Sequence, residues 1–108
     1  MPVSMIQFSY KSETVEKLIN NPEDRSLAVK ELLEKLGGKL LAFYYSYGEY
    51  DGVVLAEMPD NISGLAATMT SFAAGGTENI KTTILITVEE AMAAMKKASG
   101  LKLEQPKG

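Results

Sequence analysis

Lys39-Leu40-Leu41-Ala42-Phe43-Tyr44-Tyr45-Ser46-Tyr47-Gly48-Glu49-Tyr50-Asp51-Gly52-Val53-Val54-Leu55-Ala56-Glu57-Met58 is the stretch that decides the fold. From Lys39 to Tyr47, Leu41, Phe43, Tyr45 and Tyr47 alternate with Leu40, Ala42, Tyr44 and Ser46. That period of two, carried by aromatic and aliphatic side chains, reads as a strand. Gly48-Glu49 reads as a tight turn in which the glycine takes a positive φ. Tyr50 to Met58 then returns as the next strand, and Pro59 ends it because proline cannot donate to a ladder. The segment is a hairpin.

The flanks supply a helix on each side. Upstream, Asn21-Pro22-Glu23-Asp24 has the order of a helix start, with a capping Asn, a proline at the first turn and two acids at the positive dipole end. Ala28, Val29, Leu32, Leu33 and Leu36 form its apolar stripe, and Gly37-Gly38 stops it. Before it, Val3 to Tyr10 alternates as a strand, and Ser12 caps a short helical stretch carrying Val15, Leu18 and Ile19. Downstream, Asp60 caps a helix from Asn61 to about Ala74, whose stripe of Ile62, Leu65, Ala66, Met69, Phe72 and Ala73 is expected to meet the sheet. Gly75-Gly76 closes that helix, and Ile80 to Thr87 reads as the last strand. Thr87-Val88-Glu89-Glu90 is a capping box opening a terminal helix with Val88, Ala91, Met92, Met95 and Ala98 on one side. The order strand, helix, hairpin, helix, strand predicts an α+β ferredoxin-like βαββαβ sandwich with an extra C-terminal helix. One domain is expected over residues 3–99, with 100–108 as a loose tail.

Such a sandwich packs its helices on one sheet face. Whichever face that is, the other is too apolar to stand bare, since both faces of the hairpin carry aliphatic or aromatic residues. The expected cover is a second copy of the chain, giving a homodimer through the helix-free face.

Composition removes whole classes of chemistry. The chain of 108 residues has no Cys and no His, which excludes disulfides, thiolate nucleophiles, Ser-His-Asp triads and His- or Cys-ligated metals. The net charge is -3, and from Leu40 to Ile80 there are five acids, Glu49, Asp51, Glu57, Asp60 and Glu78, and no Lys or Arg. Tyr44, Tyr45, Tyr47 and Tyr50 could stack bases, but without basic neighbours no nucleic-acid partner is expected. Glu49 and Asp51 make an incomplete shell for a hard cation, so neither a metal nor a cofactor is expected. The longest uncharged run, Asn61 to Thr77, is too polar to span a bilayer, and no basic stretch precedes an apolar core at the start of the sequence. No membrane partner and a cytoplasmic location are therefore expected.

Gly37-Gly38-Lys39 leading to Phe43-Tyr44-Tyr45, then Gly48-Glu49-Tyr50-Asp51, Val53-Val54-Leu55 and Pro59-Asp60, resembles the GYD domain family. The signature is Gly48, Tyr50 and Asp51, and the likeness extends through Asn21-Pro22-Glu23-Asp24-Arg25, Gly75-Gly76 and Thr87-Val88-Glu89-Glu90. The resemblance implies a bacterial or archaeal protein of the dimeric α+β barrel type, in which two ferredoxin-like sheets form the barrel. At Gly52 the chain departs from the family, which more often has an aliphatic residue there, and this is expected to widen the space beside Tyr50. Thr77-Glu78 is expected to lengthen the Gly75-Gly76 loop.

Two functions fit these residues. In the first, the dimer binds a small apolar or aromatic ligand, with Tyr45, Tyr47 and Tyr50 lining the cavity, or serves a structural role. The alternative is a cofactor-free monooxygenase or isomerase of the dimeric α/β barrel type, with Asp51 as general base or acid. Asp51, if buried, must be hydrogen-bonded or protonated, and a structural use is to accept turn N–H groups.

Overall fold

A computed structural model describes residues 2–108. Its elements are β1 (Val3–Tyr10), α1 (Ser12–Asn20), α2 (Ser26–Lys35), β2 (Lys39–Tyr45), β3 (Gly52–Glu57), α3 (Asn61–Ala73), β4 (Thr77–Leu85) and α4 (Val88–Ala98). The four strands form one antiparallel sheet in the order β2-β3-β1-β4, the ferredoxin-like arrangement. Ile6 lies opposite Val54 and Thr82, and Phe8 opposite Gly52 and Ile80. Those residues and their period-two neighbours Ser4, Ala56 and Ile84 therefore share the face on which α2 and α3 pack. The core is Phe8, Leu33, Val54, Ala56, Met58 and Ala67, with Ile6, Val29, Leu40, Phe43 and Ile80 packed around it.

Several elements begin or end for reasons the alternation alone does not show. The Asp24 carboxylate accepts from the Ser26 backbone N–H at 2.9 Å, and this local turn starts α2 at Ser26. Asn21-Pro22-Glu23-Asp24 is therefore a connection between α1 and α2 instead of the helix start. A bulge between Leu40 and Ala42 leaves Leu41 as the extra residue, so Leu40 joins Phe43 and Tyr45 on the helix side while Ala42 and Tyr44 fall on the other. The strands of the hairpin stop at Tyr45 and restart at Gly52, so the link is longer than a tight turn. Gly48 does not take positive φ there, whereas Gly37, at φ 80°, does so directly after α2. Asp60 caps α3 by accepting from Ser63 N at 2.7 Å, and Thr87 caps α4 by accepting from Glu90 N at 3.0 Å. Hydrogen bonds at this cap hold the Asp60 carboxyl below its ordinary pKa, the Ser63 backbone N–H contributing most.

The orientation of α3 corrects the expected stripe. Ala67 is its buried residue, with Gly64, Thr68 and Ser71 beside it on the sheet side, whereas Ile62, Leu65, Met69 and Phe72 point away from the sheet and are exposed, Ile62 by 84%. The sheet already presents Phe8 and Phe43 toward α3, so the small face of the helix is the one that fits between layers. No residue from Asn61 to Ala74 is charged, which makes α3 apolar or small on every side.

The helix-free face carries Met5, Ala42, Tyr44, Val53 and Leu55 in its middle together with Gln7 of the central strand, with Lys39, Glu57, Lys81 and Thr83 around them. The terminal helix does not cover it. α4 buries no residue and leaves Val88, Met92 and Met95 exposed. With the tail it extends the molecule to 58 × 37 × 22 Å and a radius of gyration of 17.8 Å, where about 13 Å is usual for a compact chain of this length. No helix among the described residues is long and apolar enough to cross a membrane.

Candidate functional site

Four aromatic rings line the helix side of the sheet at one end. Phe8 lies 5.1 Å from Tyr10 and 5.6 Å from Phe43 between ring centres, and Tyr45 lies 5.3 Å from Phe43 and 6.3 Å from Tyr10. All contacts are tilted or edge-on, the arrangements ring quadrupoles favour. The row can form because Gly52 sits opposite Phe8. A Cβ at position 52 would collide with three carbons of the Phe8 ring. The space expected beside Tyr50 is thus occupied by Phe8.

Opposite this aromatic wall stands the small face of α3, and α2 closes the side. Between them lies a cavity of about 430 Å³. Phe8, Phe43, Val54 and Leu33 form its apolar floor and flank, and Ala67, Thr68, Ser71 and Ala74 its roof. Lys17, Glu23 and Arg25 border its solvent side; Arg25 pairs with Glu23 at 3.5 Å, which leaves Lys17 as a net positive charge at that margin.

Most hydroxyls around the cavity are already engaged. Ser71 Oγ donates to Ala67 O at 2.8 Å, Thr68 Oγ1 to Gly64 O at 3.3 Å and Thr14 Oγ1 to Gly76 O at 2.7 Å. The Tyr10 and Tyr45 hydroxyls hydrogen-bond each other at 3.2 Å. Burial foremost, then the bond to Tyr45, raises the Tyr10 pKa above its ordinary value, so this wall stays a neutral phenol. Thr77, another residue of the lining, is different: its Oγ1 is buried and has no hydrogen-bond partner among the described residues.

The residues singled out in the sequence lie around this site unevenly. Asp51 ties three segments together. Its Oδ2 accepts from Tyr10 N at 2.8 Å, its own N–H donates to Phe8 O at 2.8 Å, and its carbonyl accepts from Ser46 N at 2.8 Å. Asp51 and Tyr45 also line a shallower pocket of about 380 Å³ with Tyr10, Val15, Leu18 and Ile19. Tyr50 is half-buried and offers its backbone carbonyl to Ser46 Oγ at 2.8 Å. Tyr47 is fully exposed in the loop, and neither Tyr47 nor Tyr50 lines either pocket. Among the described residues no three carboxylates converge as a metal site would require.

Thr77, Ala67, Thr68 and Ser71 were not singled out by the sequence reading. A signal for the last three was present: Gly64, Ala67, Thr68, Ser71 and Ala74 recur at helical spacing and form a second, small-residue stripe beside the oily one.

The model of the GYD domain matches residues 5–95 of the chain. No curated protein matches it. Among solved structures, TTHA0845 from Thermus thermophilus superposes with a TM-score of 0.55 at 17% identity, over 82% of this chain and 96% of that one. MtbAldR (Rv2779c) superposes with a TM-score of 0.56 at 15% identity, over 80% of this chain and 52% of that one. At such identities these two structures share the fold with this chain.

Proposed function

The chain belongs to the GYD domain family, and from that premise we propose that it is a homodimer, one domain over residues 3–99, that binds a small apolar or aromatic molecule between its helices and its sheet. The observation that carries this reading is the cavity of about 430 Å³, within the range of roughly 300–1,000 Å³ in which small-molecule sites fall. Its aromatic floor and small-residue roof leave a slot suited to a flat ring.

Self-association is supported by the apolar residues in the middle of the helix-free face. Two such faces brought together bury Met5, Val53 and Leu55 of each copy. The exposed stripe of α4 supports it further. An isolated helix of 11 residues is marginal in water, since isolated helices shorter than about 12–15 residues lack enough cooperativity, and contact with the second copy would stabilise it.

Native mass spectrometry of the protein purified from its own host tests both halves. The expected species is twice the chain mass with one small apolar molecule retained per chain, and a bare monomer contradicts the reading. Leu55→Lys places a charge in the middle of the proposed interface. It is expected to weaken association by at least about 2 kcal/mol and give a monomer at micromolar concentration in sedimentation velocity. A variant dimer as tight as the wild type would place the interface elsewhere.

A second reading rests on Asp51, whose carboxylate borders the shallower pocket beside Tyr10 and Tyr45. In a cofactor-free monooxygenase or isomerase it would take or return a proton on the substrate, with Tyr45 of the same pocket as an orienting group, while Tyr47 and Tyr50 lie outside that pocket. Its hydrogen bond to Tyr10 N supports a structural use of the same carboxylate.

A further inference from the structure

We infer that the cavity takes a flat aromatic monocarboxylate, with the ring inward against Phe8 and Phe43 and the carboxylate on the solvent side, paired with the Lys17 ammonium. This rests on the cavity reading above. The charge along the lining decides the ligand class. Lys17, Glu23 and Arg25 are the charged residues there. Arg25 and Glu23 pair with each other at 3.5 Å and cancel. Lys17 has no ion-pair partner among the described residues, so one positive charge remains.

The free ammonium is not for want of an acid on its own helix. Glu13 precedes Lys17 by four residues on α1, the spacing and order that favour an ion pair. On α2 the same arrangement, Glu31 followed by Lys35, closes at 3.1 Å. Lys17 instead lines the cavity, and Glu13 and Glu16 do not. The turn before it is anchored: Thr14 Oγ1 donates to Gly76 O at 2.7 Å and Lys11 N to the same oxygen at 3.0 Å, which fastens α1 to the start of β4. Thr14, Lys17 and Leu18 therefore share the face of α1 turned to the cavity. The apolar floor cannot take an ionised group, so a carboxylate must stay where Lys17 meets solvent. The long lysine stem lets the ammonium follow it there. One uncompensated cation matches a monoanion, whereas a phosphate monoester would bring about two negative charges to it. Thr70 adds a neutral hydroxyl to the lining and leaves the sign to Lys17, and Asp51 borders only the shallower pocket.

Calorimetric titration at neutral pH compares 1-naphthoate with 1-naphthol, which has the same ring without the charge, on the wild type, Lys17→Met and Lys17→Arg. Lys17 is exposed, and methionine keeps its length and helix propensity, so the fold should hold. The wild type is expected to prefer 1-naphthoate, and 1-naphthoate should displace bound 1-naphthol. Lys17→Met should weaken 1-naphthoate about tenfold and leave 1-naphthol unchanged, and Lys17→Arg should keep the preference. If the wild type binds 1-naphthol without preferring 1-naphthoate, or Lys17→Met binds both as the wild type does, the proposal is overturned while the cavity reading stands. Binding of 1-naphthoate without displacement of 1-naphthol would place the carboxylate site elsewhere and overturn it too. If neither compound binds the wild type, the cavity reading itself fails.

Discussion

Ser71→Phe is expected to weaken 1-naphthol binding at least about 30-fold while leaving the melting temperature unchanged or higher. Ser71 projects from the roof of the cavity, half-buried, and its hydroxyl bonds only within its own helix, to Ala67 O. Serine and phenylalanine have similar helix propensities, so the backbone loses little. The new ring would lie in the slot between α3 and the aromatic wall, where the proposed ligand would lie. Denying a guest that apolar burial forfeits about 2 kcal/mol, which corresponds to about 30-fold in affinity. Filling the space with carbon adds contacts that the open slot lacks. Wild-type affinity in a folded Ser71→Phe protein would put the binding site elsewhere.

Gly52→Val should destabilise the fold strongly. Glycine in a strand is usually a weak point, and valine suits the pleated surface better. Here the sign reverses. A side chain at position 52 enters the Phe8 ring, and Phe8 is held between Tyr10 and Phe43 in the core. Overpacking of this kind costs roughly 3 kcal/mol, or about 15 °C in melting temperature for a domain of this size. The two positions are also expected to couple. In a Phe8→Ala background the same Gly52→Val change should become neutral or stabilising, because the strand preference then acts unopposed. Additive effects in that double-mutant cycle, read by urea denaturation, would show that the ring does not decide the glycine.

Much of the fold was legible because it follows from period and punctuation. The alternating residues around Gly48-Glu49-Tyr50-Asp51, the caps at Asp60 and Thr87, and the glycines after α2 and α3 are local signals, and local physics sets the elements they mark. The site was less legible because it depends on which of two competing faces wins. On α3 the oily stripe is the stronger amphipathic signal, yet the layer spacing set by Phe8 and Phe43 selects Ala67, Thr68 and Ser71 instead. Thr77 illustrates a different limit. Nothing about Thr77-Glu78 alone reveals that a bulge will turn the threonine inward, because the bulge is a property of the pairing with Ser9 and Tyr10. Asp51 was legible as a carboxylate needing hydrogen-bond donors, and Tyr10 N supplies one from 41 residues away in sequence.

The family signature can be read in the same terms. Tyr50 and Asp51 of the signature lie where the hairpin loop is fastened to the end of β1. That fastening holds Tyr10 in position beside Tyr45, and so sets one end of the aromatic wall. The signature thus bears on the cavity through the geometry of Tyr10, whether or not Asp51 also handles a proton.

Nuclear Overhauser contacts between bound 1-naphthol and the protein test most directly whether a guest sits in the slot between sheet and helices. The expected contacts are to the methyl groups of Leu33, Val54, Ala67 and Thr77 and to the ring of Phe8. Contacts confined to Met5, Val53 and Leu55 on the helix-free face, or to Met92 and Met95 of α4, would contradict it.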